Sequence, residues 1–263
     1  MIDTHTHLFS AEFDADREEA LQRAIAAGVE GFYLPNIDAD TVDAMLVLAK
    51  AHPRHCYPML GLHPTSVGAD YRVQLDRLEA RLEEYAWAAI GEIGTDLHWS
   101  DEFWEQQRDA FRVQCGWAVA RDLPVAVHCR NSIDETLELI EPFAAQGLRG
   151  VLHCFTGSVE QALRAAELGL YFGIGGVLTY KNNGELPEVV RRVPRARLVL
   201  ETDSPYLAPV PKRGRRNESA YLPYVLTALA EALGEEPAQV EALTTANAHH
   251  LFADVHLRDR TGA

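Results

Sequence analysis

The chain has 263 residues, and its 24 Lys and Arg against 39 Asp and Glu give a formal net charge of −15. With 47% hydrophobic and 24% charged residues it has the composition of a globular protein, which excludes disorder as its main state, and no apolar run approaches the roughly 18 residues of a membrane span. The negative charge argues against broad electrostatic binding of nucleic acid, but it is compatible with a local basic patch or with bound metal cations.

In chain order, short apolar and β-branched runs alternate with longer stretches in which apolar residues recur at helical spacing. The short runs predict eight strands, at residues 1–4, 31–35, 56–62, 86–93, 124–128, 150–154, 170–174 and 197–201. The longer stretches predict nine helices, at residues 14–27, 39–51, 74–84, 101–121, 132–146, 158–168, 186–193, 221–233 and 237–251. No shift in composition marks a domain boundary, so we predict a single domain over residues 1–263.

The alternation of strands and helices predicts a parallel sheet whose strands are joined by helical crossovers. Eight such units in about 250 residues correspond in number and size to a (β/α)8 TIM barrel, an α/β fold. A doubly wound open sheet is the alternative. It usually has fewer strands, and no GxGxxG sequence follows the first predicted strand. We therefore predict the barrel.

Polar residues that can bind metals follow several predicted strands at their C-terminal ends. They are His5 and His7 after the first strand, His63 after the third, Glu92 at the fourth, His128 at the fifth, His153 at the sixth and Asp203 after the eighth. In a TIM barrel, these strand ends meet around one opening. Each residue alone has a structural explanation, such as a hydrogen-bonded His or a helix cap. Apart from His63, however, they occupy five strand ends together, and this predicts a metal centre.

The types of these residues narrow the choice of metal. His, Asp and Glu ligands without a nearby thiolate suit Zn²⁺, Mn²⁺, Mg²⁺ or Fe²⁺. Cys129 and Cys154 directly follow two of the proposed ligands, but strand alternation predicts that both point to the opposite side, toward the helices. We expect them to be core thiols.

Several motifs together resemble one known family. They are MIDTHTH at residues 1–7, GLHP at 61–64, GEIGTD at 91–96, HCFTG at 153–157 and ETDSPYL at 201–207. Their order and spacing resemble the TatD-type metal-dependent deoxyribonucleases of the amidohydrolase-like superfamily over essentially the whole chain. One departure is Thr95, where the family usually has an apolar residue.

The resemblance implies a function and a set of ligands. The function is hydrolysis of phosphodiesters by a metal-activated water, typically in DNA, with 3′–5′ exonuclease action on single-stranded ends. The cofactors would be one to three divalent ions, Mg²⁺, Mn²⁺ or Zn²⁺. By resemblance, one metal is held by His5, His7, Glu92 and Asp203, and a second by Glu92, His128 and His153. Glu92 would bridge them, and His63 would contact a substrate phosphate.

Catalysis of this hydrolysis needs a base and contacts to the substrate. Asp203 is the predicted general base because it can touch both a metal and a water, and a role as ligand alone is its alternative. Glu201 is expected either to orient a ligating His or to form a buried salt bridge. The predicted phosphate contacts are Arg130 and the basic cluster Lys212, Arg213, Arg215 and Arg216 in a long loop at residues 208–217. A merely solvated loop or a surface ion pair is the alternative for them.

Two other functions remain open. The first is a small-molecule metallohydrolase of the amidohydrolase type, although many of these use a carboxylated Lys where this chain has Glu92. The second is a non-enzymatic metal-binding protein. The N-terminus lacks the pattern of a signal peptide, so we expect a cytoplasmic protein without membrane contact or an obligate protein partner.

Overall fold

A computed structural model describes residues 1–252 of the chain. Within these residues, the strands are β1 (Ile2–Asp3), β2 (Gly31–Pro35), β3 (Cys56–Met59), β4 (Ile90–Asp96), β5 (Val125–Arg130), β6 (Gly150–Leu152), β7 (Tyr171–Ile174) and β8 (Leu198–Leu200). The helices are α1 (Arg17–Ala26), α2 (Val42–Ala51), α3 (Tyr71–Glu79), α4 (Trp104–Arg121), α5 (Ile133–Ala144), α6 (Val159–Glu167), α7 (Leu186–Arg192), α8 (Leu222–Leu233) and α9 (Pro237–Leu251). The predicted single domain extends to residue 263, and its residues 253–263 lie outside the described part.

The strands close into a barrel. Strands β1 to β3 pair in parallel in chain order, as do β4 to β8, and a bridge between Leu60 and Ile90 joins the two groups. The last strand meets the first, because the amide of Thr4 donates to the carbonyl of Leu200 at 3.0 Å. An open doubly wound sheet has two free edges, so that alternative was wrong. The predicted (β/α)8 barrel is confirmed.

Alternation along the strands divides the inside of the barrel into two levels. One cluster of buried side chains includes Ala126 on β5, Val151 on β6 and Val199 on β8, which point to the same side of the sheet. His128 lies two residues after Ala126, and His153 lies two residues after Val151. Alternation therefore points both imidazoles to that side as well. An apolar layer therefore fills the deeper part of the barrel, and polar residues follow it toward the C-terminal ends of the strands.

Several predicted element ends differ from the observed ones: β4 starts at Ile90 and not at residue 86, and α3 spans Tyr71–Glu79 and not 74–84. Strand β4 continues to Asp96, three residues beyond the predicted end, because Gly94 pairs with His128 on β5. A side chain at Gly94 would bring its Cβ within 1.9 Å of the carbonyl oxygen of His128, so glycine permits this pairing. Strand β6 ends at Leu152, and Cys154 has a positive φ of 44°. Strand alternation therefore does not reach Cys154.

No helix among residues 1–252 has both the length and the apolar character needed to cross a membrane. The expected cytoplasmic location goes beyond this observation and stays a prediction.

Candidate metal centre

A buried carboxylate, that of Glu92 on β4, lies at the centre of the site and is 2% exposed. Its Oε2 lies 3.2 Å from Nε2 of His5 and 3.5 Å from Nε2 of His7. Oδ1 of Asp203 lies 3.7 Å and 3.6 Å from the same two nitrogens. The residues after β1 and β8 and the carboxylate on β4 therefore surround one point.

The other oxygen of the same carboxylate faces a second group of imidazoles. Oε1 of Glu92 lies 3.0 Å from Nε2 of His153, 3.2 Å from Nδ1 of His128 and 3.3 Å from Nε2 of His63. The two oxygens thus face two different groups of imidazoles, which is the arrangement that a bridging carboxylate would need. His63, predicted only as a phosphate contact, also lies within ligand distance of this set.

These donors fit divalent metal ions. Three sets have all their ligand atoms within 4.8 Å of one another: His5 with Glu92 and His153, His5 with His7 and Asp203, and His63 with Glu92 and His128. Imidazole nitrogens and carboxylate oxygens suit Zn²⁺, Mn²⁺ and related ions. The Nε2 atoms of His5 and His7 both face the carboxylates of Glu92 and Asp203, so these nitrogens are the candidate donors to a common cation.

Burial and neighbouring charges act in opposite directions on these groups. Burial alone would raise the pKa of Glu92, but the imidazoles of His153, His63 and His5 outweigh it and hold this pKa well below its ordinary value. Burial would lower the pKa of His153, yet the carboxylates of Glu92 and Glu201 raise it well above its ordinary value. At His5 and His63, burial prevails and the pKa is lowered. Glu92 is therefore ionised at neutral pH.

Asp96 supports the site and was not among the residues singled out from the sequence. Its Oδ2 lies 2.8 Å from Nε2 of His128, and its side chain is 2% exposed. Gln107 of α4 binds the backbone of Asp96 through both its amide oxygen and its amide nitrogen. Asp96 lies four residues after Glu92 in the same strand, but the predicted strand ends at residue 93, so alternation gives no signal for Asp96 from the sequence.

Glu201 lies beneath the second set of ligands. Its Oε1 is 3.5 Å from Nδ1 of His153 and accepts a hydrogen bond from the amide of Cys154. A Cβ at Gly173 would lie 2.0 Å from Oε2 of Glu201, so β7 has room for this carboxylate only because it has glycine there. The distance of 3.5 Å to His153 is that of an ion pair and not of a hydrogen bond, and the orienting role of Glu201 stays a prediction.

A second unpredicted residue, Asp3, joins the first strand of the barrel to the segment that follows the last strand. Its Oδ1 accepts from the amide of Thr202 at 2.9 Å, and its Oδ2 accepts from the hydroxyl of Thr202 at 2.6 Å. Burial raises the pKa of Asp3 to about 7, against these hydrogen bonds. The carboxylate thus holds the segment before His5 against the segment before Asp203.

Arg130 is exposed at the end of β5, as expected for a residue that meets solvent or substrate. Its guanidinium carbon lies 5.4 Å from the ring centroid of Trp99, a side chain that is 72% exposed. The predicted phosphate contact of Arg130 stays a prediction.

The basic loop at residues 208–217 is irregular in the structure, as expected. Lys212 lies over the ring of Tyr221 at 5.1 Å, and Arg213 lies 4.0 Å from the ring centroid of Tyr180. Arg216 differs, because its two terminal nitrogens bind the carboxylate of Asp16 at 2.7 Å and 2.9 Å. A phosphate would have to break this ion pair in order to bind Arg216.

For Arg215, the backbone amide donates to the carbonyl of Lys212 at 3.2 Å. The phosphate-binding role predicted for all four residues of the basic cluster stays a prediction.

Comparison with known proteins identifies relatives along nearly the whole chain. The model of a family described as TatD related DNase matches residues 2–253. The 3′–5′ ssDNA/RNA exonuclease TatD of Salmonella typhimurium is 36% identical over 257 residues, which cover 96% of this chain and 98% of that protein. A protein of Bacillus subtilis named uncharacterized metal-dependent hydrolase YabD is 33% identical over 262 residues, covering 96% and 98% of the two chains.

Solved structures also match this chain along nearly its whole length. The crystal structure of YJJV, a TatD homolog from Escherichia coli, matches with a TM-score of 0.90 at 33% identity and covers 96% of this chain and 97% of that one. The phosphotriesterase homology protein of Escherichia coli matches with a TM-score of 0.70 at 15% identity, covering 95% and 98% of the two chains. The second likeness shows the shared barrel fold alone.

Proposed function

Since the chain belongs to the family of TatD-related DNases, we propose that it is a divalent-metal-dependent nuclease that removes nucleotides from the 3′ ends of single-stranded DNA. The single observation that carries the proposal is the carboxylate of Glu92, whose two oxygens face two separate sets of ligands. A relative at 36% identity is named a 3′–5′ ssDNA/RNA exonuclease, which supports the choice of substrate.

We infer two cation positions, and the set of His5, Glu92 and His153 extends across both of them. His5, His7 and Asp203 would hold one cation and His128 and His153 the other, with Glu92 shared between them. Divalent cations so placed supply a water of lowered pKa and neutralise charge on a phosphate. The remaining steps depend on side chains of the protein.

Asp203 is suited to accept the proton of the attacking water. Burial would raise its pKa, but a hydrogen bond with His7 and the charges of the nearby imidazoles lower it below the ordinary value. The carboxylate is therefore ionised at neutral pH and can act as a base. Its 8% exposure leaves it reachable by a water at the opening of the barrel.

The substrate would be held by cationic and imidazole groups around the opening. The side chain of His63 is 13% exposed, more than that of Glu92 beneath it, so it can reach a phosphate oxygen. Arg130 at the end of β5 and the basic cluster after β8 would bind the phosphates of neighbouring nucleotides. On a chain with a net charge of −15, these five basic residues would provide local positive charge where the backbone passes.

The test is a nuclease assay on metal-free and metal-loaded protein. We expect no cleavage of an end-labelled single strand in chelator, and stepwise release of nucleotides from the 3′ end after addition of Mg²⁺ or Mn²⁺. Glu92→Gln should be inactive, and Glu135→Gln, at an exposed position on α5, should match wild type. Full cleavage by rigorously metal-free protein would contradict the proposal. So would an intact strand with all metals together with turnover of a lactone, which would favour the small-molecule alternative.

A further inference from the structure

A cavity of about 380 Å³ lies beside the metal centre. Its lining comprises Pro64, Thr65, Val67, Asp96, Trp99, Ser100, Phe103 and Gln107. Asp96 belongs both to this lining and to the site, because its carboxylate binds His128, and Pro64 directly follows His63. The volume lies within the range of about 300–1,000 Å³ that is typical of small-molecule pockets.

The wall of this cavity has an unusual aromatic residue. Trp99 is 72% exposed, although burial of a large indole ring would be favourable. The guanidinium of Arg130 lies 5.4 Å from the centroid of the same ring. An exposed aromatic face next to a cation is the combination that binds a base and its phosphate in single-stranded nucleic acid.

Several polar groups of the lining form contacts within the protein. Gln107 uses its amide oxygen and nitrogen on the backbone of Asp96, as described above. The hydroxyl of Thr65 lies 2.7 Å from Nδ1 of His63, and the hydroxyl of Ser100 accepts from the amide of Glu102 at 3.1 Å. The side chains of Val67, Trp99 and Phe103 in the lining offer a base a surface for packing and stacking, and every base has a face that can stack.

We propose that this cavity binds one base of the single strand next to the scissile phosphate, by stacking on Trp99, without regard to which base it is. The inference depends on the proposed nuclease function, which it deepens by assigning the subsite. A base paired in a duplex cannot enter the cavity, because its partner strand would have to follow. The stacking subsite therefore gives a physical reason for a preference for single strands.

The first experiment compares variants of Trp99 on two substrates. Trp99→Ala should lower kcat/KM for a single-stranded oligonucleotide roughly 5- to 150-fold, the range for loss of one stacked base. Trp99→Phe should retain most of the activity. Val47→Ala, a change at a position on α2 that is also 72% exposed, should match wild type. Hydrolysis of a fully abasic single strand should be the same in all four proteins, because that substrate has no aromatic ring that can stack on Trp99.

The second experiment removes the base instead of the ring. An abasic residue at the 3′ end, or one position before it, should slow wild type by about the same factor as Trp99→Ala, at one of the two positions only. The two changes together should cost no more than either alone. If Trp99→Ala cleaves the oligonucleotide like wild type, or if the two effects multiply, the assigned subsite is wrong while the proposed nuclease function stands. If wild type cleaves no single strand with any metal, both are overturned.

Discussion

Glu92→Gln tests whether the charge of the central carboxylate holds the site together even before a metal binds. The substitution keeps the size and shape of the side chain but removes its negative charge. In the wild type this charge faces five imidazoles at 3.0–3.5 Å. We expect the metal-free variant to be less stable than metal-free wild type, although no ligand geometry is lost.

The distance to His153 gives the magnitude. At 3.0 Å, with an effective dielectric constant of about 20, an ionised carboxylate and an imidazolium attract each other by about 5 kcal/mol. Desolvation offsets part of this attraction, and removal of one partner from a buried pair costs about 3–5 kcal/mol. Because the pKa of Glu92 is lowered on folding, its ion pair with His153 stabilises the fold at pH values above the ordinary pKa of a Glu. Because the pKa of His153 is raised on folding, this stabilisation is lost as the pH rises through the raised pKa of His153. The difference should therefore be largest near pH 6.

The assay is denaturant unfolding in the presence of chelator, at pH 6 and at strongly alkaline pH, for wild type, Glu92→Gln and the exposed control Glu135→Gln. We expect a loss of about 3–5 kcal/mol for Glu92→Gln at pH 6, a smaller loss at alkaline pH, and no loss for the control. Equal stability of Glu92→Gln and wild type at pH 6 would refute the reasoning, because it would mean that Glu92 is neutral in the metal-free protein.

Three further changes test the surroundings of this carboxylate. Asp203→Asn should lower the rate at saturating Mn²⁺ by about 10²–10⁴-fold, and a rate near wild type would remove Asp203 from the chemistry. Arg213→Ala should reduce the slope of log affinity for single-stranded DNA against log salt by up to about 0.7, and an unchanged slope would make it a solvated residue. Gly173→Ala should weaken metal binding about 10–100-fold, because the new Cβ would lie 2.0 Å from Glu201. Titration calorimetry checks this against Gly116→Ala, whose Cβ meets nothing within 4 Å.

The positions of the proposed ligands were predictable because the barrel leaves little freedom at the strand ends. A strand alternates its side chains with a period of two, and parallel strands in a barrel end at one opening. His128 follows from this rule. His153 comes directly after β6, and its amide still pairs with the carbonyl of Val127 on β5, so the structure brings both imidazoles to the same oxygen of Glu92. Their coordination of a metal stays a prediction, whereas their proximity is now observed.

The supporting residues were harder to predict, for physical reasons that differ. Asp96 was missed because β4 was expected to end at residue 93, and alternation has no meaning beyond the end of a strand. The ion pair between Arg216 and Asp16 joins two loops that lie 200 residues apart in sequence. No local pattern determines such a pair. The sequence could therefore locate the basic cluster, but it could not show which of its residues form ion pairs within the protein.

The ligands also take part in the closure of the barrel through their backbones. The amide of Asp203 donates to the carbonyl of His5 at 2.9 Å, and the amide of His7 donates to the carbonyl of Ser204 at 2.8 Å. Asp3 adds a side-chain contact across the same seam. Almost 200 residues separate these partners in sequence, so the seam forms only when the whole barrel has closed. Since both sides of the seam contribute proposed ligands, a cation bound by His5, His7 and Asp203 would hold the seam together. Metal affinity and the stability of the closed barrel are therefore linked quantities, and a ligand at 100 times its Kd would add about 2.7 kcal/mol to the latter.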